Sequence, residues 1–176
     1  MKMKNRFLKK GLTMLLIAGT VLCTCSCGNS KKEKKEDVGK YASSEVMDKV
    51  AASMTDLPEM VTIKSGDKNA DKKFKVLCDI DYSKVEDYTY EYAKDNNNNP
   101  EEVVVIRMKS KNDMAIVKKG LEDRTKKRVE HFEQYDAAQI PKVEAAAISV
   151  KDNYILYAVG DQASNAKFEF NDMLGK

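Results

Sequence analysis

The chain contains no tryptophan, one histidine, three prolines and eight scattered glycines in 176 residues. Each scarcity removes a class of chemistry. With His131 as the single imidazole, neither a zinc site nor a serine or cysteine triad can draw on a second one. The glycines form no GxGxxG and no GxxxxGKS/T, so the usual nucleotide cradles are excluded. A sugar-binding cleft would lack tryptophan as a stacking platform. Cysteine is scarce where it would brace a fold: Cys23, Cys25 and Cys27 crowd the amino terminus, and Cys78 is the only other. No disulfide within the remainder is expected, nor any cofactor, so a folded domain must rest on its core.

Length and composition fit one domain preceded by a short extension. At 42% hydrophobic and 34% charged residues, the chain is that of a globular protein rather than a disordered tail. The net charge of +3 is misleading, because residues 1–27 hold five basic side chains and no acid. Taking those five from 31 leaves 26 basic against 28 acidic residues, a balance of −2. That argues against nucleic acid as a partner, since duplex binding needs a basic face.

The first 27 residues carry an address. Met1–Lys10 is a positively charged stretch, and Gly11–Leu22 is an apolar run of about 12 residues, the length of a signal-peptide core and short of the ~20 that span a bilayer. The sequence TVLCTCSCGNS that follows resembles the lipobox of bacterial lipoproteins. Ser26 gives Cys27 the best small neighbour for cleavage and lipidation; Cys25, with Leu22 three residues upstream, is the runner-up. Two acyl chains on that sulfur would give stable membrane attachment at ~0.8 kcal/mol per buried CH₂, on the extracytoplasmic face. Gly28–Lys40 (GNSKKEKKEDVGK) is then a charged, flexible tether, and residues 41–176 form one domain that is expected to fold without metal or disulfide.

Within that domain, Ser43 and Ser44 offer N-caps to a helix whose stripe runs Val46, Val50, Met54 and Leu57 up to Pro58. Met60–Ser65 alternates weakly, as a short strand would. A short helix follows over about Asp71–Cys78, with Cys78 on its apolar side as a buried small hydrophobe. Asp87–Ala93 alternates strictly, with Tyr88, Tyr90 and Tyr92 on one face, packing on helices with their hydroxyls wet. Asp95–Pro100 is a turn-rich loop leading to a second strand, Glu101–Met108. Asn112–Tyr135 is a long helix with Met114, Val117, Leu121, Val129 and Phe132 near helical spacing. A second hairpin pairs Ala146–Val150 with Tyr154–Val159, and Asp161 opens a last helix bearing Ala166, Phe170, Met173 and Leu174. The pattern implies an α+β fold: an antiparallel sheet of about four strands in two hairpins, one face covered by helices, including the long one.

From about Ser44 to Leu174 the chain resembles an uncharacterised family of Firmicutes lipoproteins, a domain of unknown function. The likeness rests on Asp81-Tyr82-Ser83 leading to Val85 and Tyr88, on Arg124 with Phe132 and Tyr135, and on Asn153-Tyr154-Ile155-Leu156. It implies no activity. Where that family shows glycine in the last hairpin turn, this chain has Asp152-Asn153, which reaches positive φ at greater cost.

Candidate sites are few. Asp79-Ile80-Asp81-Tyr82-Ser83 opens like a calcium loop, but Lys84 stands where glycine is needed and Tyr90 where a bidentate glutamate is needed, so the acids are read as capping a turn. His131 is placed on the polar side of the long helix. Arg124 and Tyr92 mark a binding surface; Arg124 has no acid at helical spacing, and a solvated side chain or a weak ion pair is its ordinary explanation. Together these features indicate a membrane-anchored, non-catalytic binding or assembly module that meets an envelope protein or ligand. A carboxylate-dependent envelope hydrolase is the alternative, since paired acids suffice for glycan cleavage.

Overall fold

A computed structural model describes residues 39–175. The expected signal segment, Cys25, Cys27 and all of the expected tether but its last two residues lie outside the described residues. Five strands form one antiparallel sheet: β1 (Met60–Lys64), β2 (Val85–Ala93), β3 (Glu102–Met108), β4 (Ala147–Lys151) and β5 (Tyr154–Val159), ordered β1-β2-β3-β5-β4. The helices are α1 (Ser43–Ala51), α2 (Ala70–Leu77), α3 (Met114–Tyr135), α4 (Ile140–Glu144) and α5 (Ala163–Leu174). None of the described helices is long and apolar enough to cross a membrane.

Both expected hairpins form, but the sheet has five strands rather than four, because the weakly alternating Met60–Lys64 pairs with β2 in register Met60↔Ala93 through Lys64↔Thr89. The larger correction concerns its faces: helices cover both. On one side α2, α3 and α4 bury Tyr88, Tyr90, Val104, Ile106, Ile155 and Tyr157. On the other, α1 and α5 bury Val103, Val105, Leu156 and Ala158. The reason is local. β3 and β5 are apolar at successive rather than alternate positions, so one bare face would put four aliphatic side chains into water, at roughly 1.5–3 kcal/mol for each larger one. The half-polar β4 (AISVK) instead takes an edge.

Helix boundaries shift for similar reasons. α1 stops at Ala51, though Met54 and Leu57 still pack on the same core beyond it. Its cap is Ala42, whose N–H bonds the Glu45 carboxylate at 2.7 Å. Ser43 lies inside the helix because its hydroxyl is buried against Thr89 Oγ1 at 3.1 Å, while its N–H points to the Asp87 carboxylate at 3.3 Å. A strand residue thus serves the helix terminus that a local serine was expected to serve. The chain is also held before α1: Tyr154 Oη accepts from Tyr41 N at 2.9 Å and donates to Tyr41 O at 2.7 Å. Gly39, at φ +86°, lets the backbone pass against the Tyr154 ring where a Cβ would collide with it.

Candidate functional site

Arg124 sits halfway along α3, between Leu121 and Phe132, and therefore on the stripe that faces the sheet. Its side chain is 11% exposed and that of Glu102, which it meets, is 2% exposed. Nε donates to Glu102 Oε1 at 2.9 Å, and Nη2 reaches both Glu102 Oε2 and Tyr90 Oη, the latter at 2.8 Å. Nη1 donates to Val76 O at 3.2 Å, and Tyr90 Oη donates to Glu102 Oε2 at 3.0 Å. Burial opposes the charge on Arg124, yet Glu102 and Tyr90 hold the guanidinium above its usual range. Burial first, and then Glu102, pushes the Tyr90 phenol well above its ordinary value. Burial likewise raises Tyr157, which lies beside the same carboxylate.

Arg124 is therefore neither solvated nor weakly paired. The bidentate fork and the Tyr90 hydroxyl engage both carboxylate oxygens of Glu102. Two signals in the sequence point to this pair: an arginine on the apolar stripe of α3, and a glutamate in register with Val104 and Ile106 on the same face of β3. An acid and a base, each forced inward by its own element, must meet.

The other charged groups of the sheet are similarly engaged. Asp87 accepts from Arg107 Nε at 3.1 Å and Nη2 at 2.8 Å. Glu101 lies 2.7 Å from Lys142 Nζ, which also reaches Asp161 at 3.2 Å. Tyr88 and Tyr90 are buried with dry hydroxyls rather than wet ones, Tyr88 Oη donating to Ala70 O at 2.7 Å. Tyr92 is half-buried, its ring stacked on Tyr90 at 4.8 Å with Lys73 Nζ 5.8 Å above it. Arg124 thus fixes Tyr90, and Tyr90 supports Tyr92, so the two expected binding residues are linked through a third.

The remaining candidates are structural. Cys78 is 2% exposed; burial, with Asp79, pushes its thiol up to about 11, so it is not a nucleophile near neutral pH. Asp81 caps the turn before β2 as expected, accepting from Ser83 N at 2.9 Å. That backbone bond, with the Ser83 hydroxyl, holds its carboxyl below the usual range. His131 does not lie on a solvated face: it is half-buried, stacked on Tyr135 at 4.4 Å. Among the described residues no group of three His, Cys, Asp or Glu side chains could hold a metal.

Two depressions flank α3. One, of about 290 Å³, lies between α2 and α3. The other, of about 610 Å³, runs between α3 and the edge strand β4 over Val129, Ala146 and Ile148.

None of the curated proteins matches this chain, and none of the solved structures does. A family model described as a domain of unknown function, DUF4358, matches residues 61–160, from within β1 to the glycine after β5. That match takes in more than half of the chain, including the Glu102–Arg124 pair, and by it the protein belongs to the DUF4358 family.

Proposed function

We propose that this protein is an exported lipoprotein, attached to the outer leaflet side of the cytoplasmic membrane through a diacylated Cys27, whose domain binds an envelope partner rather than catalysing a reaction. Attachment is supported by the basic stretch, the short apolar run and the cysteine cluster within residues 1–27, and by the likeness to Firmicutes lipoproteins. The charged residues 28–38 then space the domain from the lipid surface. The mature amino-terminal peptide, analysed by mass spectrometry, is expected to begin at Cys27 with diacylglycerol on its sulfur. A peptide beginning at Cys25 would move the site, and an intact signal segment would refute the anchor.

The binding reading is carried by one observation: the buried acids of the sheet, Glu101 and Glu102, are each held by a cation, and Asp87 is forked by Arg107. A glycosidase-like reading needs two carboxylates across a cleft, one free to donate and one free to attack. What lies open instead is the margin of the face that α3 covers, with half-buried Tyr92 at one end and the β4 groove at the other. Cross-linking in intact cells is expected to capture the same envelope component with the His131→Ala/Cys78→Ala protein as with the native one. It should capture less with Tyr92→Ala. Loss confined to the first pair would overturn the binding reading and reopen the enzymatic one.

A further inference from the structure

We propose that the free edge of β4, together with the groove beside α3, takes up an extended, basic segment of a partner polypeptide as a sixth strand, antiparallel to β4 like the rest of the sheet. This rests on the reading of the domain as a binding module and gives that module its mode of recognition. Met108 N donates to Asn153 O at 2.8 Å, in register with the β3–β5 ladder. In an antiparallel ladder such pairs alternate, so Ile155, Tyr157 and Val159 turn their backbone groups toward β3. Tyr154, Leu156 and Ala158 are left to bond β4, where they stand opposite Lys151, Ser149 and Ala147. Ile148 and Val150 therefore point their N–H and C=O groups away from the sheet. Among the described residues no strand lies beyond them.

This edge lacks the usual protections: β4 has no proline and no bulge in its ladder, and Ile148 and Val150, the residues that turn outward, carry no charge. Their side chains lie on the α3 face, since Ile148 packs on the α3 core whereas Ser149 bonds Asn171 of α5. Residues opposite each other on paired strands share a face. An added strand would thus send alternate side chains over the groove, whose floor is Val129, Ala146 and Ile148. Its rim carries Glu122, Glu130 and Glu144 against Lys126; Lys126 lies 3.4 Å from Asp123 and Glu122 lies 3.4 Å from Lys118, which leaves Glu130 and Glu144 to set the charge of the rim. The incoming face is therefore basic, apolar, basic at every second residue. A second copy of this chain would bring one acidic rim against another, which disfavours self-pairing.

The test uses the full-length protein in detergent micelles and a fluorescent probe peptide, acetyl-Ser-Lys-Thr-Val-Thr-Lys-Ser-amide. Saturable binding is expected, weakening as salt is raised. Glu130→Lys/Glu144→Lys should reduce affinity at least about tenfold, whereas Glu133→Lys, outside the groove, should leave it unchanged. Val150→Pro removes an outward N–H while leaving the groove floor intact, and should abolish binding. Should that variant not fold, the peptide provides the same information. N-methylation of its valine, which faces β4, should abolish binding, and N-methylation of the threonine before it, whose N–H faces away, should not. Binding indifferent to both methylations would refute strand addition. A dimer in sedimentation that Val150→Pro dissociates would show the occupant to be a second copy, and would also refute the proposal. With no saturable binding the proposal falls: by itself if cells still yield the cross-linked component, and together with the binding reading if they do not.

Discussion

At position 120 a methyl group has nowhere to go. Gly120 lies in α3 where the helix crosses the end of α2, and a Cβ there would fall inside the contact distance of Cys78 Sγ, with Cys78 Cβ at 3.5 Å behind it. Glycine costs a helix interior about 1 kcal/mol relative to alanine, so its presence marks a close approach. Gly120→Ala is expected to destabilise the protein by about 1–2 kcal/mol in urea titration, the overpacking cost exceeding the propensity gain. In a Cys78→Ala background, where the sulfur is gone, the same change should stabilise by up to about 1 kcal/mol. An unchanged sign would show that the two residues do not compete for space. The thiol itself offers a second check. Its pKa is raised to about 11, so the fold favours the neutral form. The corresponding stability is complete below the unfolded value near 9 and is lost as pH rises from there toward 11. Comparing native and Cys78→Ala proteins between pH 8 and about 11 should show the native one losing roughly 2 kcal/mol more. At pH 8 a maleimide should label Cys78 only after denaturation.

At the scale of elements, one buried ion pair ties α3 to β3. Glu102 and Arg124 are 22 residues apart and belong to different elements, β3 and α3. Removing one partner leaves the other buried and unpaired, so Arg124→Met and Glu102→Leu are each expected to cost about 3–5 kcal/mol. The double variant should recover most of that loss, because desolvation offsets much of what the ion pair contributes. If the double variant were as unstable as the sum of the singles, the two residues would be energetically uncoupled, and the ion pair would not be what makes each partner costly to remove. The existence of α3, its stripe and both hairpins was legible from 3.6-residue and two-residue periodicities. Arg124 was harder to read because a helical pattern shows only neighbours at i+3 and i+4, and its acid comes from a strand. Misplacing the cap of α1 has the same origin: Ser43 looks like a local cap, but Thr89 and Asp87, more than forty residues away, claim its hydroxyl and its N–H.

Residues 39–175 form a sheet between two helical layers, and the family match covers only one of those layers: α1 and α5 fall outside residues 61–160. Those two helices shield Val103, Val105, Leu156 and Ala158 and pack on each other around Val50 and Phe170. A fragment of residues 61–160 is therefore expected to aggregate or to bind a hydrophobic dye, whereas residues 39–176 should melt cooperatively with or without chelator and reductant. A soluble, cooperatively melting fragment would show the second layer to be dispensable. Element types followed from the sequence itself, because period, composition and spacing are properties of neighbours along a chain. Strand order, the second helical layer, the committed state of Arg124 and the open edge of β4 were decided by tertiary structure alone. Each depends on which distant surface a residue meets, and apolar burial has no direction in sequence: it is satisfied by whichever face closes the core.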